Sequence, residues 1–291
     1  MNLNRYEIFL KVVEIGNLTQ TAEVLHYTQA GISHAVAALE KETGVTLFLR
    51  SANGVTLTEN GKYLLPAIQQ LVNDQRGLAQ AVYEVNHVVA GVLRLGTFAS
   101  VSAQWVPHII SEFQKQYPQV EFELLEGDYD TIGERIKSGK MDCGFLSAPV
   151  DEKLDFMPLA EDPLMVVLPP HHLLAEKERL TLEDIQNEPF LFPVKGSDND
   201  ILAVLKKYMK KIHIRYTLQA DISIMSMVEN GFGITIMPDL ILKNYNFHLA
   251  IRPLYPTKYR TIGIAALPKN RQTILTRTFL KYLAERKGIR D

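Results

Sequence analysis

A single cysteine in 291 residues, Cys143, excludes an intramolecular disulfide, an all-cysteine metal site and a two-thiol redox switch within one chain. One thiol fits a reducing compartment, so the expected location is the cytoplasm. Charge of one sign is also missing: 31 Lys and Arg stand against 33 Asp and Glu, so no global basic field draws the chain to nucleic acid. No apolar run approaches the roughly 20 residues of a membrane span, and no membrane partner is expected. The opening MNLNRYEIFLKVVE is charged and amphipathic, unlike a signal peptide. Chemistry-bearing clusters are scarce too. His171 and His172 are adjacent rather than four apart on a helix, and His108 and Glu112 have no nucleophile beside them. The GxG ending in Gly233 follows a helix and enters a strand, the reverse of a dinucleotide loop, and reads as a turn with a close-packed strand. Neither a cofactor nor catalytic or metal-binding residues are expected.

What is present begins at the N-terminus. Leu3, Tyr6, Phe9, Leu10 and Val13 recur at helical spacing and mark a first helix that Gly16 and Asn17 end. Thr19 is the expected cap of a second helix, and Ala22 and Leu25 give it a small packing face. Thr28 is placed to cap a third, in which Ile32, Ala35, Val36 and Leu39 point inward. Gln29, Ser33 and Ala37 then share the opposite face, flanked by Ala30 and His34. Small and amide side chains let a helix approach base edges, where Gln pairs with adenine and Ser with several bases. Strand patterns at 45–50 and 55–58 flank Asn53-Gly54, a strong hairpin turn. Such a hairpin is a wing, and Arg50 on it is a candidate phosphate or minor-groove contact. The expected DNA-contacting set is Thr28, Gln29, Ala30, Ser33, His34, Arg50 and Asn53. Residues 1–62 hold five basic residues against six Glu, which implies few phosphate contacts per subunit and a need for paired readers.

After the cap candidate Thr58, Leu64, Ile68, Leu71, Gln75, Leu78, Val82 and Val85 step alternately by four and three. That is a heptad seam with Gln75 as its polar member. Two uses are open: packing on the helix's own domain, or pairing with a second copy through Leu64, Ile68, Leu71, Leu78 and Val82. Pairing is preferred, because an operator of two half-sites needs two readers.

At this point the chain resembles a LysR-type transcriptional regulator along its whole length. The family's reader motif stands here as Ala22-Glu23, Thr28-Gln29-Ala30-Gly31-Ile32-Ser33, and the run from Gly44 to Arg50, with Thr58-Glu59-Asn60-Gly61 where the linker helix begins. Departures are Ala30 and Gly31, where the family usually has Pro and Ala, and His34, where Arg is frequent. The resemblance implies double-stranded DNA as a partner, a small-molecule effector, and a homodimer that assembles to a homotetramer.

Strand and helix patterns alternate from residue 92 onward, so a parallel sheet with covering helices is expected. The two halves look like the subdomains of a periplasmic-binding-protein fold, and the resemblance implies crossovers near Glu161-Asp162 and Ala266-Leu267. The expected organisation is therefore α/β. It has a winged helix-turn-helix at 1–61 and a linker helix at 62–90. Regulatory subdomain I is formed by 91–161 with 267–291, and subdomain II by 162–266. A ligand in such a fold sits outside the carboxyl ends of the strands. Thr97, Ser100, Ser102, Asp128, Tyr129, Ser147, Lys195 and Ser197 fall there by sequence order. Free amides and hydroxyls at helix starts favour an anion, with Lys195 as counter-charge, and a small carboxylate-bearing metabolite is expected. The resemblance assigns effector contact most directly to Ser100, Tyr129 and Ser197. Two rivals, a solute-binding protein and an enzyme on the same scaffold, are disfavoured by the reader and by the lack of a convergent acid, base or nucleophile set, so an enzyme is not expected.

Overall fold

The structure, a computed structural model, describes residues 5–51, 54–85, 89–193, 199–206, 212–243 and 245–286. The chain divides into two compact units, residues 1–86 and 87–291.

In the first unit, α1 (Arg5–Ile15), α2 (Leu18–Leu25) and α3 (Gln29–Thr43) enclose a core that includes Phe9, Val12, Ala22, Ile32, Val36 and Leu39. The Asn17 side chain caps α2 by accepting from the amides of Thr19 and Gln20 at 2.9 and 3.1 Å. The expected cap, Thr19, is already inside the helix, because α2 starts two residues earlier than a Thr19 cap would place it. Thr28 caps α3 by accepting from the Gly31 amide at 3.1 Å. The hairpin pairs β1 (Phe48–Ser51) with β2 (Gly54–Leu57). It is pinned twice, by the Val55 amide on the Gly16 carbonyl at 2.8 Å and by Glu40. The Glu40 carboxylate accepts from the amides of Leu47 and Phe48 at 2.7 and 3.2 Å, so it anchors the wing.

Next comes α4 (Glu59–Val85), capped by Thr58, which accepts from the Gly61 amide at 2.9 Å. Its heptad seam splits. Ile68 is 6 % exposed and packs, with Leu64 and Leu65, on the core of the helix's own unit. Leu64 and Ile68 therefore do not offer the free seam that pairing requires of them. Farther along, Leu71, Leu78, Val82 and Val85 are exposed, Leu78 by 68 %.

In the second unit, β3 (Gly91–Thr97) lies parallel to both β4 (Val120–Glu126) and β5 (Cys143–Ser147). Over these strands lie α5 (Ala99–Gln104), α6 (Val106–Gln116) and α7 (Tyr129–Lys137), which bury Val101, Ile109, Phe113, Ile132 and Ile136. The long β6 (Asp155–Leu168) then joins two cores. After it come α8 (Leu182–Ile185), β7 (Pro189–Pro193), α9 (Asn199–Leu205), β8 (His213–Leu218), α10 (Asp221–Glu229), β9 (Thr235–Pro238), α11 (Asp239–Leu242) and β10 (Ala250–Pro253). The chain closes with β11 (Tyr259–Ala266) and α12 (Ile274–Glu285), whose Leu275, Phe279 and Leu283 return to the first core.

Two expectations change here. The sheet is mixed rather than parallel: β11 runs antiparallel to β5 and to the first part of β6, while β9 and β10 run antiparallel to the rest of β6. The return crossing, expected near Ala266-Leu267, lies ahead of Tyr259, because β11 is hydrogen-bonded into the first subdomain's sheet. Residues 259–266 therefore leave the expected 162–266 segment and join subdomain I. The segment ending in Gly233 is close-packed as anticipated: a Cβ there would meet the Pro189 carbonyl oxygen at 2.3 Å.

Candidate functional sites

The reader face is built by the cap at Thr28. Once the helix starts there, the four-residue step puts Gln29 above Ser33, and the Gln29 amide donates to the Ser33 hydroxyl at 3.4 Å. Thr28, Gln29, Ala30 and His34 are exposed, and Ser33 is half-buried at the edge of the same face. Arg50 is exposed on the wing, and Asn53 lies outside the described residues. The third helix thus presents amide, hydroxyl, methyl and imidazole groups without a bulky apolar side chain among them. That surface can donate to and accept from base edges.

The second site is organised around a residue absent from the expected set. Arg260 stands on β11, is 4 % exposed, and makes four side-chain hydrogen bonds. Its Nε and Nη2 donate to Asp162 Oδ2 at 2.8 and 2.6 Å. The same Nη2 donates to Ser100 Oγ at 2.9 Å, and Nη1 donates to the Tyr129 hydroxyl at 3.0 Å. The guanidinium also lies over the Phe98 ring, 5.2 Å from its centre, and Phe98 meets Tyr129 edge-on at 4.9 Å. Asp162 is satisfied on its other side by the Leu240 amide at 3.0 Å. From Arg260 the network crosses between subdomains. Tyr129 donates to Asp200 Oδ2 at 3.0 Å, and Ser147 donates to Asp200 Oδ1 at 2.9 Å. Tyr129 and Ser147 belong to the first subdomain, and Asp200 lies on α9 of the second.

Electrostatics fix the proton positions. Burial drives the Tyr129 phenol well above its ordinary range, Arg260 pulls it down, and Asp200 pushes it up. It is therefore a neutral O–H that accepts from Arg260 and donates to Asp200. Burial works against the Arg260 charge, but Tyr129, Asp162 and Asp200 outweigh it and raise its pKa. Burial lifts the Asp221 carboxyl above the usual range, with Arg260 opposing. A cavity of about 580 Å³ opens beside the network, with Tyr129, Ser147, Asp200 and Lys258 in its walls.

Of the expected effector contacts, Ser100 and Tyr129 meet Arg260, and Tyr129 and Ser147 line the cavity. Thr97 is buried and accepts from Ser102 at 3.2 Å. Asp128 does not join them: its carboxylate caps α7, accepting from the Thr131 amide at 2.6 Å, and a capping acid is the ordinary use of Asp before a helix. Lys195 and Ser197 lie outside the described residues. Sequence reasoning missed Arg260, Asp162 and Asp200. A lone Arg just ahead of the apolar run from Ile262 to Ala266 was the available signal for Arg260. Elsewhere the plainer readings hold: burial pushes the Cys143 thiol up, and His172 caps a short turn by accepting from the Leu174 amide at 3.2 Å. Among the described residues no group of His, Cys, Asp and Glu is arranged to hold a metal ion, and no helix is long and apolar enough to cross a membrane.

Comparison with known proteins meets this geometry at both ends. Residues 3–62 match the description "Bacterial regulatory helix-turn-helix protein, lysR family", and residues 86–288 match "LysR substrate binding domain". The regulator YvbU of Bacillus subtilis, itself described as uncharacterized, is 28 % identical over 288 residues, covering 98 % of each chain. The full-length CbnR solved with its target DNA has a TM-score of 0.68 at 19 % identity, covering 98 % of this chain and 99 % of that one. The regulatory domain of CcmR from Synechocystis, solved with 2-PG, has a TM-score of 0.62 at 25 % identity, covering 68 % of this chain and 98 % of that one. The protein belongs to the lysR family of bacterial helix-turn-helix transcriptional regulators.

Proposed function

We propose that this regulator senses a small carboxylate-bearing molecule between its two regulatory subdomains and answers by changing how paired readers engage duplex DNA. One observation carries the reading: the Arg260 network spans both subdomains beside an open cavity of about 580 Å³, a volume suited to a small ligand. A molecule that replaces or extends those cross-cleft hydrogen bonds biases the angle between the subdomains, which is the differential contact a population shift requires. The CcmR regulatory domain solved with 2-PG supports small-molecule binding by this unit. The CbnR complex with DNA supports the reader. We assign pairing to the exposed apolar residues Leu71, Leu78, Val82 and Val85 of α4, with a dimer that assembles to a tetramer, and cytoplasmic residence.

Thermal-shift measurements with small organic acids, 2-PG included, test the sensor. Tyr129→Phe removes the hydroxyl that links Arg260 to Asp200. We expect it to weaken the bound acid roughly tenfold, about 1.4 kcal/mol, while leaving duplex affinity unchanged. An unaltered acid titration would contradict the assignment. Gln29→Ala tests the reader. Fluorescence anisotropy on DNA from upstream of the protein's own gene should show a loss of about 1–3 kcal/mol for the specific site and little change on unrelated duplex. An equal loss on both would make Gln29 a backbone contact instead.

A further inference from the structure

Among the described residues, Asp200 and Lys258 are two charged groups in the cavity wall that make no direct ion pair. The two oxygens of Asp200 accept from Ser147 and Tyr129 at 2.9 and 3.0 Å, and both donors are neutral hydroxyls. A carboxylate accepts about four hydrogen bonds, so the described residues fill about half of that capacity. Arg260 is committed to Asp162, is linked to Asp200 by hydrogen bonds through the Tyr129 hydroxyl, and otherwise acts on it through space. The other group is Lys258, exposed in the cavity wall, whose ammonium makes no ion pair with any described residue. Lys137, the second lysine in the wall, differs: it is held by Glu134 at 2.7 Å and Asp151 at 2.6 Å.

A carboxylate seat and an ammonium seat in one cavity specify a ligand of complementary polarity. We propose that the cavity binds a small zwitterion of the amino-acid class, with its ammonium on Asp200 and its carboxylate on Lys258. The proposal rests on the carboxylate-effector reading and narrows it. An acid without a cationic group would set like charge against Asp200 in a half-buried site, where the interaction is screened less than in water. An amine without a carboxylate would leave Lys258 to solvent and forgo half of the recognition. The cavity of about 580 Å³ is ample for an amino acid.

The test uses the full chain and two matched probe sets: the standard amino acids, and acids of the same skeleton without the amino group, such as succinate for aspartate and glutarate for glutamate. Thermal shift identifies binders and calorimetry gives their affinity. At least one amino acid should raise the unfolding temperature while its amine-free counterpart does not. Asp200→Asn keeps the shape and removes the charge, and should weaken that amino acid roughly tenfold. Lys258→Met, at an exposed position, should weaken it severalfold with no change in the unliganded unfolding temperature. Amine-free acids binding the native chain as tightly as amino acids would overturn the zwitterion and leave the carboxylate reading standing. Undiminished amino-acid affinity in Asp200→Asn would also overturn it. Silence from both probe sets would sink the zwitterion and the carboxylate reading together.

Discussion

Arg260→Met is expected to destabilise the regulatory unit by about 3–5 kcal/mol, because it strands the Asp162 carboxylate in a buried site with its counter-charge gone. The geometry sets that size. Both side chains are nearly inaccessible, at 3 and 6 % exposure, and the pair is closed by two short contacts of 2.6 and 2.8 Å. Ser100 and Tyr129 would lose their donor in the same step, so the loss extends beyond one ion pair. Urea unfolding of the full chain, followed by a probe in the regulatory unit, reads the effect as a lower midpoint. The double variant Arg260→Met with Asp162→Asn should recover much of the loss. Asn keeps an oxygen for the Leu240 amide while removing the orphaned charge. A single variant costing less than about 1 kcal/mol would mean that water reaches Asp162, and the network would not be the rigid support assigned to it.

The second large effect lies in the reader and turns on sign. Helix preference alone says that Gly→Ala inside α4 should stabilise by about 1 kcal/mol. At Gly77 that is the expected result, since an added Cβ has nothing within 4 Å. At Gly61 the same change should destabilise by about 2 kcal/mol or more. The new Cβ would fall 2.3 Å from the Leu47 carbonyl oxygen and 2.8 Å from Leu57 Cδ2. That carbonyl cannot withdraw freely. It accepts from the Thr58 amide at 2.9 Å, while the Leu47 amide is held by Glu40 at 2.7 Å. The wing would have to lift from the start of α4. Duplex affinity should fall with stability in Gly61→Ala and stay at the native level in Gly77→Ala. Two variants shifting in the same direction would show that the wing tolerates displacement.

Both predictions bear on what could be read from the chain without its fold. The reader was legible because its signals are local. Thr28 stands just before Gln29, the core positions of α3 recur within one helix, and the hairpin announces itself by alternation around one turn. Even there the α2 cap was misplaced, since Asn17 and Thr19 are both good caps and only the helix start decides between them. The regulatory unit hid more. The first part of β6 contains Pro158, Pro163 and three acids, with no alternation to mark a strand, because it is paired by β11, a partner distant in sequence. The placement of β11 likewise depends on non-local pairing. The hydroxyls at strand ends could be listed from order alone. What binds them could not: Arg260 meets Asp162 across 98 residues and Ser100 across 160. Burial of a charge is a property of the assembled sheet, and a sequence shows only the oddity of an Arg beside an apolar run.

The unbroken passage of β6 between the two subdomains has a mechanical consequence. Pro163 still pairs with β11, and Leu164 already pairs with β9, so no slack segment separates the halves along this strand. Any rotation of one half against the other must wind a ribbon that is hydrogen-bonded on its flanks, and it works like a leaf spring rather than a door pin. The amplitude stays small, the restoring torque is high, and a modest ligand can produce a stiff, well-defined displacement.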